Sequence, residues 1–247
     1  MNFNLKILLI SGWGFGPQIL EQVVNELEHY NFEVTLIDIF DPFDLPTLQE
    51  KVYLAQQHDV LMGWSLGGQL ALFLANEVYL KTTHYKLVIT CMSNPSFISR
   101  ENWSDAMPTE TFSAFANLVK TDFSQAMKRF CQLTTLGGTD SKKNARYLQE
   151  YISKYDLSYQ KKYIDLLCQL NLVTILDNYC GKVLFIFSES DCLVSCKVSE
   201  KIANLSANYF QVLKISGAHD AILFDTKFII LQISNFIKAN TVNSNIT

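Results

Sequence analysis

The sequence is poor in charge, in prolines and in long apolar runs. Charged residues make up 18% of the 247-residue chain, and the formal net charge is −4. A chain with that sign of charge is not suited to holding a phosphate backbone, so general nucleic-acid binding is not expected. No stretch approaches the roughly 18–20 apolar residues of a membrane span, so no membrane partner is expected. Residues 1–10 lack a basic start and a full apolar stretch, and they run straight into Gly12-Trp13-Gly14. They read as a strand rather than a secretion signal, which points to the cytoplasm. The six cysteines (Cys91, Cys131, Cys168, Cys180, Cys192 and Cys196) show no metal-ligand spacing and no partner histidine cluster. They read as free, buried thiols, with no metal and no cofactor expected. There are no internal repeats and no low-complexity tracts.

What the chain does have is apolar residues, 49% of the total, arranged in two periodicities. Short apolar runs at 5–10, 33–39, 59–64, 86–92, 182–188 and 209–215 read as buried strands. Helical spacing separates the early runs, at 19–27, 47–57 and 66–79, and returns at 225–238. The prolines in Asp41-Pro42-Phe43-Asp44-Leu45-Pro46 place a loop before the second of these helices. Strand–helix alternation implies a mostly parallel sheet with helices on both faces. Between about 95 and 175 the spacing is helical throughout, as in Phe112, Phe115, Ala116, Val119 and Phe123, which reads as an inserted cap of roughly four helices. The expected division is a core of 1–94 and 176–239, a cap of 95–175, and a frayed polar tail of 240–247.

Gly63-Trp64-Ser65-Leu66-Gly67 lies between an apolar strand and a Leu/Ala-rich helix, the signature of a nucleophile elbow. The turn forces the serine into a strained conformation and brings backbone close, which Gly63 and Gly67 permit. Ser65 then sits at a helix N-terminus, where free N–H groups favour developing negative charge. This fold class, the α/β-hydrolase fold, orders its triad as serine, acid, histidine. His29, His58 and His84 read as surface residues, whereas His219 follows the last strand and is the expected base. Asp191 is the favoured acid. Glu189 on the same loop is second, and Asp220 is weaker because neighbouring side chains diverge. The backbone N–H groups of Leu66 and Trp13 are the expected oxyanion donors, and the Trp13 indole is free to line the pocket.

Gly12-Trp13-Gly14, Gly63-Trp64-Ser65-Leu66-Gly67-Gly68, Ser93-Asn94-Pro95-Ser96-Phe97, Asn102-Trp103, Arg129-Phe130 and Gly217-Ala218-His219 together resemble the pimeloyl-acyl-carrier-protein methyl ester esterases of biotin synthesis, from about residue 7 to 237. The resemblance implies hydrolysis of a carrier-bound methyl ester by Ser65, Asp191 and His219, with oxyanion donors Trp13 and Leu66. It implies a substrate channel using Trp13, Trp64 and Phe130. It also implies an acyl carrier protein held by cap cations at Arg129, Lys142 and Arg146, with Gln125 at a fourth position. The chain departs from the pattern with Ser11 where the family commonly has histidine, with Asp41-Pro42-Phe43-Asp44 in place of a glycine-rich loop, and in lacking the strands that usually precede the first one. Independently, Lys120, Lys128, Arg129, Lys142, Lys143 and Arg146 make the insertion basic within an acidic protein, a means of steering an acidic partner. The alternatives are a general short-chain carboxylesterase or thioesterase, and a catalytically silent binding protein. A monomer is expected.

Overall fold

A computed structural model of the protein describes residues 5–205 and 209–241. Six short aliphatic runs form β1 (Lys6–Ile10), β2 (Glu33–Ile37), β3 (Val60–Trp64), β4 (Leu87–Cys91), β5 (Val183–Ser188) and β6 (Phe210–Ile215). They make one sheet in the order β2-β1-β3-β4-β5-β6, and each neighbouring pair is parallel. β3 and β5 are buried along their whole length, and β1 and β4 everywhere but their first residue. A strand buried on both alternating faces must be covered from both sides, which is why these runs are continuously apolar.

The covering helices follow from the sequence between strands. After a 3-10 turn at Pro17–Leu20 come α1 (Glu21–His29), α2 (Leu45–Gln56) and α3 (Leu66–Thr82). Helix α2 starts inside the segment expected to be a loop. Asp44 caps it by accepting the Thr47 N–H at 3.1 Å, and Pro46 falls in the first turn, where its missing N–H costs no hydrogen bond. Between β4 and β5 lie α4 (Thr109–Thr121), α5 (Phe123–Thr135), α6 (Ser141–Ile152), a 3-10 turn at Ser158–Tyr163, α7 (Leu166–Gln169) and α8 (Val173–Asn178). This stretch was expected to hold about four helices. It has three long ones and two short ones, because the apolar spacing after residue 152 supports only single turns. Residues 96–107 are not helical but form isolated bridges, Ile98 with Met107 and Arg100 with Trp103, and the Trp103 indole donates to Asn94 Oδ1 at 2.6 Å. The chain ends with α9 (Val198–Ala203), α10 (Ala221–Phe224) and α11 (Thr226–Thr241). Helix α11 runs past the expected boundary at 238, and residues 242–247 of the expected tail lie outside the described residues. Among the described residues no helix is long and apolar enough to cross a membrane.

The strand order reverses at β1. The chain leaves β1 for the β2 edge, then returns to β3 on the other side, so the loops after β1 and β3 open a crevice at the carboxyl ends of the strands. Ile10 pairs in register with Gly63, which sets the two loops side by side. Helix α3 closes down on this point. A Cβ on Gly67 would overlap the carbonyl oxygens of Ile10 and Ser11, and one on Gly63 would overlap the Gly67 carbonyl. Gly67→Ala should therefore cost about 3 kcal/mol or more of folding stability, read from urea denaturation, because backbone rather than a flexible side chain must give way. A loss under about 1 kcal/mol would show that this contact is not tight.

Candidate active site

Ser65 occupies the turn between β3 and α3 with φ 55° and ψ −122°, a conformation that non-glycine residues avoid. The strain is held from both sides. The Ser65 N–H donates to the Cys91 carbonyl at 2.9 Å, and the Ser65 carbonyl accepts the Gly68 N–H at 3.0 Å. Ser65 is half-buried between fully buried Trp64 and Leu66. It precedes the first residue of a 17-residue helix, so the positive end of the helix dipole faces its side of the crevice.

At the end of β5, Asp191 and His219 form a buried pair. His219 Nδ1 lies 2.7 Å from Asp191 Oδ2, with side-chain exposures of 1% and 0%. The other carboxylate oxygen accepts the N–H groups of Leu193 at 2.8 Å and Val194 at 2.9 Å. A carboxylate only accepts, so it holds the proton of the ring on Nδ1 and leaves Nε2 as a base. The alternatives for this contact are placed elsewhere. Glu189 is exposed, and Asp220 accepts from Asn144 Nδ2 at 3.1 Å. The loop carrying His219 is tied down by backbone bonds from Ser190 N to Gly217 O and from Asp220 N to Thr134 O.

The loop after β1 brings Trp13 against the helices between β4 and β5. Its ring meets Phe130 edge-on at 5.0 Å and Phe115 at 5.9 Å. Trp13, Phe97, Phe112, Phe115, Phe130 and Leu193 contribute to a narrow apolar cavity of about 60 Å³. Among the described residues, no protein acceptor takes the backbone N–H of Trp13 or of Leu66. Trp64, expected in a substrate channel, is not among the cavity's lining residues. It is 1% exposed, and its indole N–H donates to the His219 carbonyl at 3.0 Å. Its strand position explains this, because it is the last residue of β3 and points under the His219 loop.

Of the cap cations, Arg129 on α5 and Lys142 and Arg146 on α6 are exposed, and Arg129 also lines the cavity. Among the described residues none of the three, nor Lys128 or Lys143, makes an ion pair, whereas Lys120 pairs with Asp165 at 3.0 Å and leaves the basic group. Gln125, at the fourth position, is also exposed. Two sequence expectations are corrected. His58 is buried, not superficial, with Nδ1 2.8 Å from Leu54 O and Nε2 2.9 Å from Thr35 Oγ1. All six cysteines are free, but only Cys91 and Cys131 are buried, and Cys180 and Cys192 are exposed. Residues that the sequence did not flag include Gln160, Asp38 and Asn144. Their partners are distant in the chain, and no local pattern marks them.

Comparison with known proteins finds relatives at low identity. No family model matches the chain. The pimeloyl-[acyl-carrier protein] methyl ester esterase of Pectobacterium atrosepticum is 25% identical over 228 residues, covering 87% of this chain and 88% of that protein. The protein of the same name from Yersinia pseudotuberculosis is 24% identical over 250 residues, covering 96% and 95%. Among solved structures, an esterase from Exiguobacterium antarcticum superposes with a TM-score of 0.78 at 14% identity, covering 96% of this chain and 93% of that one. A bromoperoxidase from Bacillus anthracis gives 0.75 at 16% identity, covering 96% and 92%. The chain has the α/β-hydrolase fold and resembles the pimeloyl-carrier methyl ester esterases.

Burial also acts on Asp220, which is 2% exposed. It pushes the carboxyl up to about 6, against a smaller opposing effect of the Asn144 hydrogen bond. The folded protein then keeps a proton that the unfolded chain releases near pH 4, so stability falls as pH rises from about 4 to about 6 and stays lower above that. Asp220→Asn keeps an acceptor for Asn144 and removes the loss. The variant should be more stable than the parent at pH 7.5 by on the order of 1–3 kcal/mol in urea melts, with the gap closing near pH 4. A gap of equal size at both pH values would mean that ionisation is not its source.

Proposed function

We propose that this protein is a serine carboxylesterase that hydrolyses the methyl ester of a pimeloyl chain carried on acyl carrier protein. The observation that supports it most is the buried Asp191–His219 pair, with the His219 carbonyl bonded to Trp64, the residue before a strained serine at a helix N-terminus. In this reading Ser65 Oγ attacks the ester carbonyl as His219 Nε2 takes its proton. The tetrahedral oxyanion is met by the N–H groups of Trp13 and Leu66, which have no protein acceptor among the described residues. His219 returns the proton to the departing methoxide, methanol leaves, and water activated by the same nitrogen releases the acid from the acyl enzyme.

The apolar cavity suits the methylene chain of the acyl group, worth about 0.8 kcal/mol per buried methylene. Residues 95–175 act as a cap over the core of 1–94 and 176–239, and the cations of α5 and α6, which make no ion pair among the described residues, face the acidic carrier. The relatives' names supply the substrate, and the six free thiols fit a reducing compartment, so we place the reaction in the cytoplasm. The enzyme needs no cofactor in this scheme and works as a monomer.

Ser65→Ala should fold normally and lose at least about 10³-fold in kcat, and a fluorophosphonate should label Ser65 and no other serine of the parent protein. Labelling elsewhere, or retained turnover, would sink the reading. The carrier is tested with two substrates. Lys142→Glu with Arg146→Glu should raise KM for the carrier-bound methyl ester about tenfold at low salt and less as salt rises, while a small soluble ester is turned over within about twofold of normal. Equal losses on both substrates would mean damage to the fold. No loss on either would make a general short-chain esterase the better reading.

A further inference from the structure

One side chain from the segment between β4 and β5 grips the loop after β1. Gln160 has no solvent exposure, and it lies in the 3-10 turn Ser158–Tyr163. Its backbone carbonyl accepts the Trp13 indole N–H at 2.8 Å, and its side-chain Oε1 accepts the Gly14 N–H at 3.1 Å. Its Nε2 faces both oxygens of Asp38, at 3.3 and 3.2 Å. Asp38, just past β2, also accepts the Ser11 hydroxyl at 2.7 Å, the Ile39 N–H at 2.8 Å and the Tyr159 hydroxyl at 2.6 Å. Ser11 and Gly14 flank the Gly12-Trp13 peptide. That peptide is therefore held on one side through Asp38 and on the other directly by Gln160.

We propose that Gln160 is a positioning residue for ester hydrolysis, fixing the Trp13 backbone N–H where the oxyanion forms. The inference rests on the serine-esterase reading. Gln160 touches neither substrate nor reacting atoms in this scheme and acts through the loop. The position needs an acceptor toward Gly14 and a donor toward a carboxylate from one buried group. A primary amide supplies both without titrating. An ionised glutamate only accepts, and alanine leaves the Gly14 N–H and the Asp38 carboxylate short of a partner in a buried site. A loop displaced by about 1 Å loses on the order of 10²-fold in rate, while substrate affinity, set by the apolar cavity, is largely kept.

The test uses the full-length protein and a small soluble ester. Gln160→Ala should lower kcat about 10- to 100-fold with KM within about threefold, and should weaken inhibition by an alkyl boronic acid, which mimics the tetrahedral state, by a similar factor. Gln160→Glu keeps the shape and sets a second carboxylate against Asp38, with the Tyr159 hydroxyl as the other titratable group facing it. The two carboxylates must share a proton, so the ratio of variant to parent kcat should rise as pH falls from about 8 to about 6. Any pH dependence that the two proteins share divides out of the ratio. A Gln160→Ala kcat within threefold of the parent, a loss in KM alone, or a Gln160→Glu ratio flat with pH each overturns the proposal. If the alanine variant does not fold, the pH ratio of the isosteric variant decides. Failure of the underlying reading is separable, because the parent protein would then escape fluorophosphonate labelling at Ser65.

Discussion

The backbone of Gly67 rests against the carbonyl oxygens of Ile10 and Ser11 with no room for a side chain between them. Helix α3 can approach β1 that closely only because Gly67 and Gly68 in its first turn and Gly63 in the strand before it carry no side chain, and the approach aims the N-terminus of α3 at the reversal point of the sheet. Ser65 takes a positive φ as a consequence, since the chain must turn from β3 into α3 within one residue. The strain is borne by the surrounding sheet, where Ser65 N–H reaches across to Cys91. The other parts of the site are arranged around this fixed point.

The parallel sheet sets the remaining distances. β5 and β6 pair from Val183 with Phe210 to Ser188 with Ile215, so their following loops leave the sheet side by side. Backbone bonds from Glu189 to Ile215 and from Ser190 to Gly217 then join the two loops before they reach Asp191 and His219. Asp191 and His219 meet inside this frame. The carboxylate is held by two backbone N–H groups of its own loop, and the imidazole by its contact with Asp191 and by Trp64 below its carbonyl. Trp64 thereby links the loop after β6 to the residue next to Ser65.

The helices between β4 and β5 complete the crevice and fasten it. Phe115 and Phe130 pack on Trp13, Asn144 reaches Asp220 beside His219, and Gln160 holds the loop after β1. Four separate helical elements thus touch two loops of the site, the one after β1 and the one after β6. Movement of these helices would be felt by the loops as well as by the cavity, because the contacts are buried hydrogen bonds and aromatic packing rather than exposed ion pairs.

Much of this was legible in the sequence because it rests on local chemistry. Apolar runs identified all six strands, most plainly the four central ones, since strands covered on both faces tolerate little else, and Gly-x-Ser-x-Gly between a strand and a helix marked the turn that only glycines allow. The position of His219 after the last strand, and of Asp191 after the one before, followed from chain order. Tertiary structure decided what depends on distant partners. Asp191 rather than Glu189 or Asp220 meets the His219 ring because Glu189 stays exposed and Asp220, although buried, turns to Asn144. Trp64 lies under the His219 loop because β3 ends there. His58 is buried because its ring finds Thr35 on the neighbouring edge strand. Gln160 carries no local signature at all. Its three partners lie more than a hundred residues away, and only the folded chain brings an amide, a carboxylate and a backbone N–H within hydrogen-bonding reach of one another.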